Sequence, residues 1–388
     1  MAPLNTKKTK REPGTTNASS IKIPLTRPYM NEAIKKKVCE VLESGYLTEG
    51  PVTKAFENAL RDFVGCAHAI AVTSCTVGLE LALRALNVGP GDEVIVPDYT
   101  YPATADAVAI VGATVVLVDV SRDSMLIDYD SLEQAITERT RAVIPVSLFG
   151  NPLDYDRLNE MKKKHGVYII EDAACSIGAS YKGVKVGNLA DISVFSLHPR
   201  KFITTGEGGI ITTNNPEWAE WMLSYKHFGL RAENTSRLGS SFQMVGTNYK
   251  LSDVLAAIGL VQMEVIDELL GRRREIAQKY ISLLADIKAI SLPKITNGGT
   301  HSYQSFCIFV EERDEIMHKM RASGIEVQIG TYSLHREPAF ASGRGCEMSG
   351  SLSGSGFAYS HCLALPFYHQ LGPKDLEKVV EQLKRALR

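Results

Sequence analysis

Apolar residues recur along this chain with two alternating periods. From Asn31 onward Ile34, Val38, Val41 and Leu42 fall on one face and the run stops at Gly45, which predicts an amphipathic helix. Residues 46–51 read as a turn, and Val52, Phe56, Leu60 and Phe63 predict a second helix. Short apolar runs follow at 67–72, 93–96, 114–120, 142–146 and 167–170. Between them lie helical patterns through Leu79, Leu83 and Leu86, then over 103–111, 132–137 and 153–164. Strands alternating with helices of this length predict βαβ units and a mainly parallel sheet flanked by helices. Functional residues are then expected in loops beyond the strand carboxyl ends.

The last third of the chain predicts a smaller α/β unit. A long helix is expected from about 252 to 285, with Arg272, Arg273 and Arg274 as a solvated face. Beyond it come a strand at 306–310, a helix at 314–322, a strand at 325–329 and a terminal helix from Pro373. The Gly/Ser-rich stretch 349–356 reads as a mobile surface loop. Residues 1–21, rich in Lys, Thr, Ser and Asn, hold too little apolar surface to fold and read as a disordered tail. The expected division is that tail, a large domain over 22–262 and a small C-terminal domain over 263–388.

Composition narrows the function classes. The 43 basic and 44 acidic residues nearly cancel, leaving no positive field for a nucleic acid or an anionic membrane. The seven cysteines are scattered, with neither a CxxC pair nor Cys/His metal spacing. This pattern predicts reduced thiols, no metal and a cytoplasmic setting.

Candidate chemistry gathers at strand ends. Lys201 sits between an apolar run (Ile192, Val194, Phe195) and a β-branched run (Ile210 to Thr213), on a connection containing Gly206, Gly208 and Gly209. Removal from water would favour its neutral amine, a nucleophile toward aldehydes; the plainer use is a solvated loop lysine. Thr73-Ser74-Cys75-Thr76 joins a strand to a helix, where hydroxyls and free N–H groups can hold a phosphate or serve as an ordinary cap. Asp172 follows the run 167–170 and calls for a cationic partner. A protonated pyridine nitrogen would serve. Tyr99 and Tyr101 follow another strand and could stack on a flat ligand.

The segments TSCTVGLELALRAL, GPGDEVIVPDYTYPAT, EDAACSIGA, FSLHPRKFITTGEGG and GTNYKLSDVLAAIGL together resemble the successive signatures of the DegT/StrS-type sugar aminotransferases. The resemblance runs from about Ile23 to the C-terminus. It implies the type I fold of pyridoxal-phosphate enzymes, with Lys201 as the Schiff-base lysine, Asp172 at the pyridinium and Tyr101 stacked on the cofactor. Cys75, Thr76 and Ser196 would hold the phosphate. Asn248 would reach it from the neighbouring subunit of a homodimer with shared sites. The implied substrates are L-glutamate as amino donor and a nucleotide-linked keto sugar, a 4-keto-6-deoxyhexose.

Two positions depart from the family pattern. Cys175 stands where Gln or His often contacts the cofactor's phenolic oxygen, and a thiol is a weaker donor. Lys250 replaces an arginine and cannot make its bidentate contact. His198 reads as a structural residue beside the lysine. His301, Tyr303, Gln328, Tyr332 and His335 lie near loops of the second unit where a substrate could meet them. The alternatives are a dehydratase, whose branch carries His at the lysine position, and a non-catalytic pyridoxal-binding regulator.

Overall fold

The computed structural model of the chain describes residues 22–230, 240–343 and 345–388; the expected tail 1–21 lies outside them. Eight strands form the principal sheet, in the order His68–Val72, Gly209–Thr213, Ile192–Ser196, Tyr168–Asp172, Thr140–Val143, Glu93–Pro97, Thr114–Val118 and Cys346–Met348. Gly209–Thr213 runs against the other seven. Parallel neighbours need long crossovers. Helices Cys75–Ala85, Ala103–Ile110, Tyr129–Ala135 and Tyr155–His165 lie in the connections. Because strand side chains alternate between faces, Ile95, Val116 and Phe195 pack into one core, whereas Val94, Val115 and Val194 pack into another.

A second sheet orders Ile290–Ser291, Phe306–Val310, Cys362–Leu365 and Gln328–Ile329. Its core stacks Tyr280 on Phe306 at 4.7 Å between ring centroids, with Phe367 at 6.1 Å from Phe306.

The C-terminal third departs from the sequence reading in three places. The expected long helix is two, Asp253–Glu264 and Ile266–Leu284, interrupted at Val265 (φ −119°). Arg273 is buried rather than solvated: its guanidinium lies 5.3 Å from the Phe202 ring centre and 4.7 Å from that of Phe367. The stretch 349–356 is no free loop either, for helix Ser353–His361 begins inside it. The Asp119 carboxylate accepts from the N–H groups of Gly354 (2.8 Å) and Ser355 (2.7 Å). A Cβ at Gly354 would stand 1.9 Å from Val120 O, so this glycine serves close approach.

Candidate active site

The predicted site residues other than Asn248 lie at or follow the carboxyl ends of four parallel strands, His68–Val72, Glu93–Pro97, Tyr168–Asp172 and Ile192–Ser196. Strand His68–Val72 leads to Ser74, whose hydroxyl accepts from Val77 N (3.2 Å) and opens helix Cys75–Ala85. The N–H groups of Cys75 and Thr76 face outward from that first turn, as helix starts require. Gly209 is paired with Val72 on one side and Ser196 on the other. A Cβ there would lie 2.7 Å from Cys75 N and from Ser74 O. The missing side chain at Gly209 lets its strand lie against the helix start, with Ser196 opposite it in the register, and this junction forms the candidate cradle.

Asp172 and Glu171 face opposite sides of the sheet. Glu171 is enclosed by hydroxyls, accepting from Tyr155 (2.6 Å), Ser193 (2.9 Å) and Ser147. Asp172 is buried and accepts from Thr104 Oγ1 (2.7 Å) and Ala174 N (3.1 Å). Thr104 in turn lies 2.9 Å from Thr100 Oγ1, and both threonines are buried. Burial raises the Asp172 pKa against these donors and against Lys201, so the carboxyl invites a further cation to hold it ionised.

After Ile192–Ser196 the chain turns: His198 O accepts from Lys201 N (2.8 Å) and His198 Nδ1 from Arg200 N (3.2 Å). His198 therefore shapes the loop, and burial lowers its pKa. Half-buried Lys201 extends Nζ to Cys175 Sγ at 3.1 Å. Burial lowers its pKa, yet Cys175, Cys75 and Asp172 together outweigh that and raise it. The expectation that burial alone would free the amine is thus reversed by neighbours that favour its ammonium form. Cys75 is pushed well up by burial and by Asp172; its thiol donates to Val194 O at 3.7 Å.

The other predicted residues are placed as follows. Tyr101 is 63% exposed, its ring edge-on to Tyr332 at 6.2 Å. Asn248 is exposed beside Tyr249, whose carbonyl accepts from Thr73 N (3.1 Å). Lys250 Nζ sits 4.8 Å over the Phe228 ring. His335 Nδ1 is 2.6 Å from the buried Asp98 carboxylate. His301 Nδ1 accepts from Tyr303 N (2.8 Å), and Gln328 Oε1 from Arg321 (3.0 Å). These last groups are already engaged within the protein.

The profile of the DegT/DnrJ/EryC1/StrS aminotransferase family matches residues 28–384. The chain belongs to this family. Its fold is similar to that of the aminotransferase TlmJ from Streptoalloteichus hindustanus, at 31% identity and a TM-score of 0.88 over 94% of this chain and 98% of that one. S. venezuelae DesV, in complex with a ketimine intermediate, is 32% identical with a TM-score of 0.86 (94% and 99% covered). Spr1654 from Streptococcus pneumoniae, in PMP form, is 30% identical with a TM-score of 0.88 (94% and 99% covered). The protein is an aminotransferase of the type I α/β fold.

The family implies pyridoxal phosphate, and the residues present fit it. An open helix start and a cradle that a Cβ at Gly209 would fill suit a phosphate. A buried carboxyl favoured toward its neutral form suits a ring cation, and an amine stands between two thiols and that carboxyl.

Two further residues of this aminotransferase escaped the sequence reading. Thr104, on the Asp172 carboxylate, had a visible signal, since it lies four residues after Thr100 in PDYTYPAT. Gln304 had none, because it grips the lysine loop from 102 positions away.

Proposed function

We propose that this aminotransferase moves an amino group from L-glutamate to a nucleotide-linked keto sugar, a 4-keto-6-deoxyhexose. The observation that carries the reading is Lys201 Nζ at Cys175 (3.1 Å), within electrostatic reach of both Asp172 and Cys75. Likeness to Spr1654, described as a candidate sugar aminotransferase, supports the substrate class.

Pyridoxal phosphate bound here would supply an aldehyde to Lys201 and an electron sink for the substrate carbon. The N–H groups of Cys75 and Thr76, with the Ser196 hydroxyl, would bind its phosphate. Asp172 would hold a positive charge at the ring nitrogen, its carboxylate oriented by Thr104 and Ala174. Tyr101 would cover the ring, and Cys175 would stand at the phenolic oxygen. Lys201 Nζ, when free, would take the proton from the donor's α-carbon and return one to the sugar carbon.

In this reading residues 22–262 hold the cofactor and residues 263–388 close the site. Two chains pair in the cytoplasm, each lending Asn248 to the other's phosphate. Among the described residues no helix is long and apolar enough to cross a membrane.

The test offers glutamate with a panel of nucleotide-linked ketosugars and follows 2-oxoglutarate and aminated sugar. Product from the wild type, and none from folded Lys201→Ala, is expected. Cofactor binding without product on any sugar would overturn the reading in favour of a non-catalytic binder, and loss of water from the sugar in favour of a dehydratase.

A further inference from the structure

Lys201 is bracketed by one side chain from the far end of the chain. Gln304 Oε1 accepts from Phe202 N (3.0 Å) and Gln304 Nε2 donates to Arg200 O (2.8 Å). These are the backbone groups immediately after and before Lys201, so one planar amide fixes both peptide units that carry the lysine. Gln304 is buried, and either bond lost would leave a buried polar group without its partner.

The bracket is itself held firmly. Arg273 donates from Nε to Tyr303 O and from a terminal nitrogen to Gln304 O, each at 2.7 Å. Phe202 and Phe367 flank the guanidinium. Tyr303 has φ +54°, unusual for an aromatic residue. Its N–H is taken by His301 Nδ1. Gln304 lies two residues before strand Phe306–Val310 of the second sheet, so the bracket ties that sheet to the lysine loop.

The same loop carries a second clamp that serves as an internal control. Gln262 Oε1 accepts from Thr204 N (3.0 Å) and its Nε2 donates to Thr204 O (2.8 Å). Both glutamines are buried, and each accepts from one backbone N–H and donates to one backbone carbonyl of this loop. Gln262 closes on the single residue Thr204, whereas Gln304 spans the two neighbours of Lys201.

We propose that Gln304 is a positioning residue for Lys201, its amide setting where Nζ stands relative to Cys175 and Asp172. The proposal rests on reading Lys201 as the cofactor-binding lysine. Without the bracket the loop can still form, but the amine samples orientations away from an arriving aldehyde.

The experiment mixes cofactor-free protein with pyridoxal phosphate, quenches with borohydride at timed intervals, and locates the reduced adduct by peptide mass spectrometry. Trapping at Lys201 in the wild type comes first, and its absence would sink the functional reading rather than the bracket. Gln304→Glu keeps the shape and the acceptor for Phe202 N but sets a carboxylate against Arg200 O. Its trapping at neutral pH should be slower by about tenfold or more, the scale on which misplaced reacting groups lose rate. On acidification the protonated carboxyl donates to Arg200 O again, so the rate should recover relative to wild type at the same pH. Gln262→Glu should lose thermal stability yet trap at the wild-type rate. Wild-type trapping by Gln304→Glu at neutral pH, or equal slowing by Gln262→Glu, overturns the proposal. Should Gln304→Glu not fold, Gln304→Asn, one methylene too short for both bonds, is judged by the same comparison.

Discussion

Lys201 Nζ and Cys175 Sγ stand 3.1 Å apart, and this contact is the first among those that raise the lysine's pKa against its burial. The contact should therefore bear on when the amine is free. A lysine that must lose a proton before it attacks an aldehyde is held back by each neighbour that favours its ammonium form.

Removing the thiol should therefore leave burial less opposed. In Cys175→Ala the pH profile for adduct formation between cofactor-free protein and an aldehyde at Lys201 should shift toward lower pH. Borohydride trapping across a pH series measures it. An unmoved or upward-shifted profile would mean that the sulfur does not control the amine.

A methyl group at Gly209 tests the cradle. Gly209→Ala sets its Cβ within 2.7 Å of backbone atoms of Ser74 and Cys75, atoms that cannot swing aside as a long side chain would. The expected result is roughly tenfold weaker binding of pyridoxal phosphate, about 1.4 kcal/mol, with much less effect on pyridoxal lacking the phosphate. Equal losses for the two ligands would place the phosphate elsewhere.

The main sheet and the lysine connection were legible because their signals are local. Apolar β-branched runs, glycines and a Ser74 cap mark Ile192–Ser196, Gly209–Thr213 and the start of Cys75–Ala85 within a few residues. Helix Pro216–Tyr225 was not read, although Asn215 caps it and Pro216 follows. Trp218, Ala219, Trp221, Met222, Leu223 and Tyr225 leave its helical period faint. Arg273 looked like part of a charge run because nothing near it in sequence shows that Phe202 and Phe367 will enclose it. Gly354 was misread for a related reason, since a glycine required by a close backbone contact looks the same in sequence as one in a loose loop.

Acid should destabilise the protein in part through His369. Its ring is buried, and among the described residues neither nitrogen has a hydrogen-bond partner. Burial, aided by Arg273 and Arg272, lowers its pKa from 6.5 to about 3. As pH falls below 6.5 the unfolded chain takes up this proton before the folded one, so stability is lost through the window down to about 3. The loss is at most about 1.4 kcal/mol per pH unit. Phenylalanine would keep the contacts to Tyr29 and Phe202, whose ring centres lie 5.8 and 6.4 Å away, and would carry no proton. In His369→Phe, denaturant midpoints between pH 6.5 and 4.5 should fall less steeply than in the wild type. Parallel curves would show that other groups carry the acid response.

Assembly gives the last prediction. Asn248 is exposed within one chain, whereas the carbonyl of the next residue, Tyr249, accepts from Thr73 N just before helix Cys75–Ala85. A twofold dimer with shared sites would put Lys201 of one chain and Asn248 of the other on one cofactor, and both sites would be equivalent in the wild type. Let Lys201→Ala chains be co-expressed with Asn248→Asp chains, the second change setting a carboxylate against the phosphate so that binding suffers by like-charge repulsion. In a mixed dimer built this way, one site carries both lesions and the other carries neither. The mixed species should regain up to half of the wild-type activity per dimer, although each parent alone is inactive. If instead both residues serve the same site within one chain, each site of the mixed dimer holds one lesion and activity stays absent. Mixed dimers isolated with two affinity tags, from parents confirmed to be folded and dimeric, decide between the two arrangements.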